Sequence, residues 1–192
     1  MCSSDLRFAA HIVEKLYGES DSPLQYRINR LGGRSKQEKW ILQAELFNEV
    51  HRWVKAAWPK IEAEGADKRG SDRYYDMVRD FLKAAIQVWG EAWGSPNYMV
   101  TRAVTLKAML RVCADLAMQD PEPAENRVER WRERLNPWSE QVRAFRAEGF
   151  YERFPAKGQI ERVVRIHREL ARLAGIQSRS TERASENQKE ET

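Results

Sequence analysis

Apolar residues recur along most of this chain at alternating three- and four-residue intervals, the period of a helix with one buried face. Ala9, Ile12, Val13 and Leu16 align on a first helix that Gly18 ends. Ser22-Pro23 starts a short turn or helix, and Gly32-Gly33 breaks the chain. Ser35 and Glu38 have capping-box spacing, and the helix predicted after them aligns Trp40, Ala44, Phe47, His51, Val54 and Trp58, with Pro59 expected to end or kink it. Residues 62–70 are polar, hold two glycines and read as a loop. Ser71 or Asp72 is the expected cap of the next helix, whose face is Tyr74, Val78, Phe81, Ala85, Trp89 and Ala92. Gly94-Ser95-Pro96-Asn97 is a stop and turn, followed by a helix aligning Ala103, Leu106, Leu110, Cys113 and Ala117. Pro121 and Pro123 close that unit and open the next.

Residues 124–136 then read as a helix charged nearly all round, with a narrow stripe of Val128, Trp131 and Leu135. Pro137 interrupts it, and residues 138–146 continue. Residues 149–158 read as an aromatic loop with Phe150, Tyr151 and Phe154, and a last helix aligns Ile160, Val163, His167, Leu170 and Ala174. No segment alternates in the manner of a β-strand. The expected fold is all-α, an irregular or orthogonal bundle of six to eight helices over residues 7–176. A disordered polar tail is expected over residues 177–192, because no large apolar residue follows Ile176.

Composition narrows this further. The length, 192 residues, suits one domain. No apolar run approaches the roughly 18 residues of a membrane span, so no membrane partner is expected. The string Met1-Cys2-Ser3-Ser4-Asp5-Leu6 reads as the translated end of a sequencing adapter, so residues 1–6 are set aside and native sequence is expected from about Arg7. Cys113 is then alone, so no internal disulfide is expected, which suits a reducing cytoplasm. Net charge is +4, and arginine outnumbers lysine 23 to 10. Arginine's planar fork suits phosphate or carboxylate, although GC-rich coding produces the same excess.

The candidate chemistry is sparse. The seven tryptophans sit mostly at helical spacing and read as core; base stacking is the alternative, with Trp53 and Trp93 off the main stripes. His11, His51 and His167 are far apart and lack metal-ligand spacing; His51 and His167 fall on apolar stripes and read as satisfied core histidines, and Cys113 reads as core. Gly32-Gly33 lacks the residues of a phosphate loop. No catalytic residue, metal site or cofactor is expected in this chain. Two basic groups are candidate nucleic-acid contacts. Arg27, Arg30 and Arg34 form the first. Lys157, Arg162, Arg165, Arg168 and Arg172 form the second, its last three sharing one helix face. For both, a solvated or internally paired surface is the competing reading. Residues 170–183 carry a helix-turn-helix-like spacing but lack the apolar anchors a second helix needs.

The stretch Ile12-Val13-Glu14-Lys15-Leu16, followed by Asp21-Ser22-Pro23-Leu24-Gln25-Tyr26-Arg27-Ile28, resembles the segment after the signature-bearing core of DGQHR-domain proteins, which include DndB-like proteins of DNA phosphorothioation systems. The resemblance covers about residues 7–120. The Asp-Gly-Gln-His-Arg signature itself is absent. The resemblance implies a longer parent with an N-terminal ParB/sulfiredoxin-like domain, linked to DNA modification, transcription regulation or phage defence. This chain would be its helical support and regulatory part, with DNA, that N-terminal domain and further copies of itself as partners. Two alternatives stay open: a non-catalytic buttress of a nucleotide- or phosphodiester-processing enzyme, and a plain protein-interaction scaffold.

Overall fold

The computed structural model describes residues 4–31, 38–120 and 123–177. The fold is all-α, an irregular bundle with seven α-helices among the described residues. Helix α1 (Ser4–Gly18) buries Phe8, Ala9, Ile12, Val13 and Leu16, the predicted stripe, against α2 (Gln43–Ala63) and α3 (Lys68–Trp89). Ser4, Asp5 and Leu6, set aside on sequence, form the first turn of α1. The turn after α1 is fixed from both sides. Ser22 Oγ donates to the Leu16 carbonyl at 2.6 Å and accepts from the Leu24 N–H. Asp21 accepts from Tyr75 at 2.5 Å and from Arg79 at 2.9 Å.

Two residues on either side of the undescribed 32–37 segment pair as a short parallel ladder, β1 (Ile28–Asn29) with β2 (Ile41–Leu42). Helix α2 therefore begins only at Gln43, later than the capping-box spacing predicts, and the expected cap Ser35 lies outside the described residues. In place of that cap, Glu45 Oε2 accepts from the Leu42 N–H at 3.4 Å. The buried face also differs from the predicted one. Leu46, Val50, Trp53, Val54 and Ile61 are buried, whereas Phe47 and Trp58 are half-covered and Trp40 precedes the helix. Pro59 does not end α2, which continues to Ala63.

Helix α3 starts earlier than predicted. Asp67, not Ser71 or Asp72, is its cap and accepts from the Gly70 N–H at 2.9 Å. A Cβ on Gly70 would sit 3.4 Å from the Phe8 ring, so glycine allows α1 to approach this first turn. The predicted α3 face is buried as expected. Helix α4 (Ala103–Gln119) is buried far more widely than its predicted stripe: Val104, Thr105, Ala108, Met109, Val112, Ala114, Asp115 and Leu116 join Leu106, Leu110 and Cys113 in the interior. It packs on α2, α3 and α7 (Gln159–Leu173).

Helix α5 (Arg127–Leu135) lies along α3 and buries Trp131 and Leu135. Residues Asn136–Phe145 form 3₁₀ turns, with Pro137 in the first, and bury Trp138 and Phe145. The predicted aromatic loop contains a single helical turn, α6 (Phe150–Arg153), whose Phe150 and following Phe154 pack on Phe145. Ile160 does not join the core of α7; it is 80% exposed, and Val163, Ile166, His167, Leu170 and Ala171 face inward. At the end of the described chain Gln177 exchanges two hydrogen bonds with the Gln119 side chain. The rest of the predicted tail lies outside the described residues.

Candidate functional site

The tryptophans are core. Trp89, Trp131 and Trp138 are fully enclosed, and Trp53, expected to stand off the core, is buried against Tyr74. Trp93 is half-buried and meets Trp40 edge-on. Trp131 donates to Asp120 at 2.6 Å and Trp138 to the Leu170 carbonyl at 2.8 Å, whereas the Trp89 indole N–H finds no partner among the described residues. Each histidine faces one aspartate: His11 with Asp72, His51 with Asp5, and the buried His167 with the buried Asp115 at 2.7 Å. Burial pushes the Cys113 thiol up, away from the reactive thiolate. Among the described residues no three His, Cys, Asp or Glu side chains gather in a way that could hold a metal ion. No described helix is long and apolar enough to cross a membrane.

Many of the charged side chains tie helices together. Arg111 grips Glu49 with two hydrogen bonds of 2.8 and 2.9 Å between α4 and α2. Lys107 meets Glu45 at 2.7 Å on the same pair. Arg127 of α5 reaches Asp80 of α3 at 3.0 Å, both buried, and Arg79 shares that carboxylate. Such pairs, once desolvated, are costly to break by removing one partner.

The first basic candidate group does not assemble as a helix face. Arg27 and Arg30 flank the extended β1 residues, so the backbone there is not helical. Arg27 lies over the Trp40 ring at 5.0 Å and donates to the Glu38 carbonyl. Arg30 pairs with Glu14 at 2.9 Å and lies over the Tyr17 ring at 4.7 Å. Arg34 lies outside the described residues.

The second group divides. Arg162 is taken up locally: it donates to the carbonyls of Phe154 and Ala156 and covers the Tyr151 ring. The Lys157 backbone N–H donates to Glu161, closing the start of α7. Arg165, Arg168 and Arg172 are exposed in one row along α7. They border an open groove of about 610 Å³ between α7 and the 136–145 turns, floored by Phe145, Phe154, Val164 and Leu173. Arg165 reaches Glu161 only at 4.0 Å, while Arg172 is held by Glu169 at 2.8 and 3.0 Å. Arg168 makes no hydrogen bond or ion pair among the described residues.

Arg153, absent from the sequence-based candidates, borders the same groove. Its guanidinium donates to three backbone carbonyls, those of Ala144, Arg146 and Glu148, at 2.6–2.7 Å. Its adjacency to an irregular aromatic stretch was the signal available in the sequence. No family model, curated protein or solved structure matches this chain.

Proposed function

We propose that this chain is the helical support and regulatory module of a bacterial, cytoplasmic DNA-associated protein of the DGQHR-domain kind, and that its own DNA contact runs along α7 through Arg165, Arg168 and Arg172. The observation that carries the reading is this exposed arginine row, standing where arginine is in excess of its carboxylate partners. Residues 123–177 hold twelve Lys and Arg against eight Asp and Glu. Guanidinium groups in a row suit successive backbone phosphates, and each phosphate contact releases counterions. Inter-helix ion pairs tie α4 to α2 and α5 to α3, as a support for a neighbouring domain requires.

The test is duplex DNA binding titrated across salt concentration. The triple substitution R165A/R168A/R172A should reduce the log–log salt slope by roughly 2 to 3, close to one per phosphate contact. R27A/R30A should reduce it less, because these two side chains do not share one helix face and each lies over an aromatic ring. Absence of binding at low salt would refute the DNA contact and leave an interaction scaffold. Leu31, 99% exposed, and Tyr26, 58% exposed, favour that second reading: an apolar point beside β1 that an adjoining domain or a second copy would cover. Association in light scattering that disappears in L31S would support it.

A further inference from the structure

The groove beside α7 has two linings of different character. One is cationic: Arg165, Arg168 and Arg172, spaced three and four residues apart, run over about 10 Å of helix axis. The other is apolar: half-buried Ala144, Val164 and Leu173 over the edges of Phe145 and Phe154. Gln141 adds an amide, with both donor and acceptor, from the 136–145 side. The volume, about 610 Å³, lies in the roughly 300–1,000 Å³ range of small-molecule sites.

The cations differ in availability. Arg168 is uncommitted among the described residues. The Arg165–Glu161 pair is long and its side chains are about half exposed, and the Arg172 side chain is 67% exposed. Exposed pairs of this kind hold weakly and exchange readily for a stronger anion. Glu161 and Glu169 also line the groove, so its positive excess is modest. A bare anion gains little from such a mixed rim. An anion joined to a flat apolar body with polar edges gains from the rim, the floor and Gln141 together.

We propose that this groove is a nucleotide site, with the phosphates on Arg165, Arg168 and Arg172, and the base over Val164 and Leu173 with its edge toward Gln141. The inference rests on the cationic α7 face of the functional reading above and names the chemical class that the face takes. The same chemistry has two sources: a free nucleoside triphosphate and a nucleotide within an unpaired strand.

The test uses the full chain and fluorescence anisotropy, with labelled ATP and a labelled single-stranded oligothymidylate as probes and inorganic tripolyphosphate as competitor. Saturable binding is expected, weakened about tenfold by R168A through loss of a charge-assisted contact. R69A, an exposed arginine on α3, should leave it unchanged. Tripolyphosphate should compete far less well than unlabelled ATP. Binding of the oligonucleotide alone assigns the site to a strand, and binding of ATP assigns it to free nucleotide; both uphold the proposal. It is overturned by absence of saturable binding to either probe, by equal weakening in R168A and R69A, or by tripolyphosphate competing as well as ATP. Duplex binding without nucleotide binding would defeat this inference and leave the DNA reading standing. Nucleotide binding without duplex binding would do the reverse.

Discussion

The two parts of the described chain use charge differently. Over residues 4–31 and 38–120, sixteen Lys and Arg face sixteen Asp and Glu, and the charges meet across helices distant in sequence: Glu49 with Arg111, Glu45 with Lys107, Asp21 with Arg79. Over residues 123–177, twelve face eight, and four of the arginines turn to the backbone. Arg153 and Arg162 hold five carbonyls between them, Arg134 holds the Gly175 carbonyl, and Arg130 holds those of Pro123 and Glu125. The reason is local structure. Long helices satisfy their own carbonyls, whereas the broken turns of residues 136–158 and the chain just before α5 and just after α7 leave carbonyls that need outside donors. An arginine excess is therefore first a folding device, and only the side chains left over after it are available to a partner.

The largest effect that would sharpen this contrast is at the joint between the parts. Arg127→Ala leaves the Asp80 carboxylate buried with Arg79 alone, and should cost about 3 kcal/mol in urea unfolding. A cost near zero would mean that Arg79 and solvent suffice for Asp80, and that the joint is not held by this pair. Arg153→Ala should cost about 1 kcal/mol, since its three carbonyls lie near solvent and recover water partners. If Arg153→Ala were instead neutral, the arginines of the second part would be surface decoration and the contrast would fail.

A smaller effect concerns pH. The Lys15 hydrogen bond, followed by that of His11, holds the Asp72 carboxyl below its ordinary value. Its ionised form is thus favoured by folding. The stability it contributes is present above the ordinary carboxyl pKa of about 3.9 and is lost as pH falls through the lower folded value. The advantage of the wild type over Asp72→Asn should therefore shrink on acidification below about pH 4. A gap that widens there would show that the carboxylate is not the favoured form. Arg168→Ala should change stability least, within about 0.5 kcal/mol, as an exposed side chain without partners among the described residues.

Much of the fold was legible because local signals agreed with packing. The α1 stripe ended by Gly18 and the α3 stripe from Tyr74 to Ala92 needed no tertiary information. Helix α2 misled because it offers two stripes. Trp40, Phe47 and Trp58 look the more apolar, yet Trp40 belongs to the extended stretch and the interior takes Leu46, Val50, Trp53 and Ile61. Ile160 misled because it sits in the first turn of α7, where its side chain points to solvent and Val163 is the first to face inward. At the candidate site, the α7 arginine row was legible from spacing alone. The engagement of Arg30 by Glu14, sixteen residues away, was not, because a contact of that kind depends on where the turn places β1.

Helix α4 carries a consequence for change over time. From Ala103 to Ala117 no position is exposed, and the charged groups it holds, Lys107, Arg111 and Asp115, each answer a residue on another helix. Surface helices can drift on one side while conserving the other. This one has no side on which to drift, so a substitution there must be matched by a second one elsewhere. Distant kin of this chain should therefore be recognisable first in their counterpart of α4, and by paired rather than single replacements.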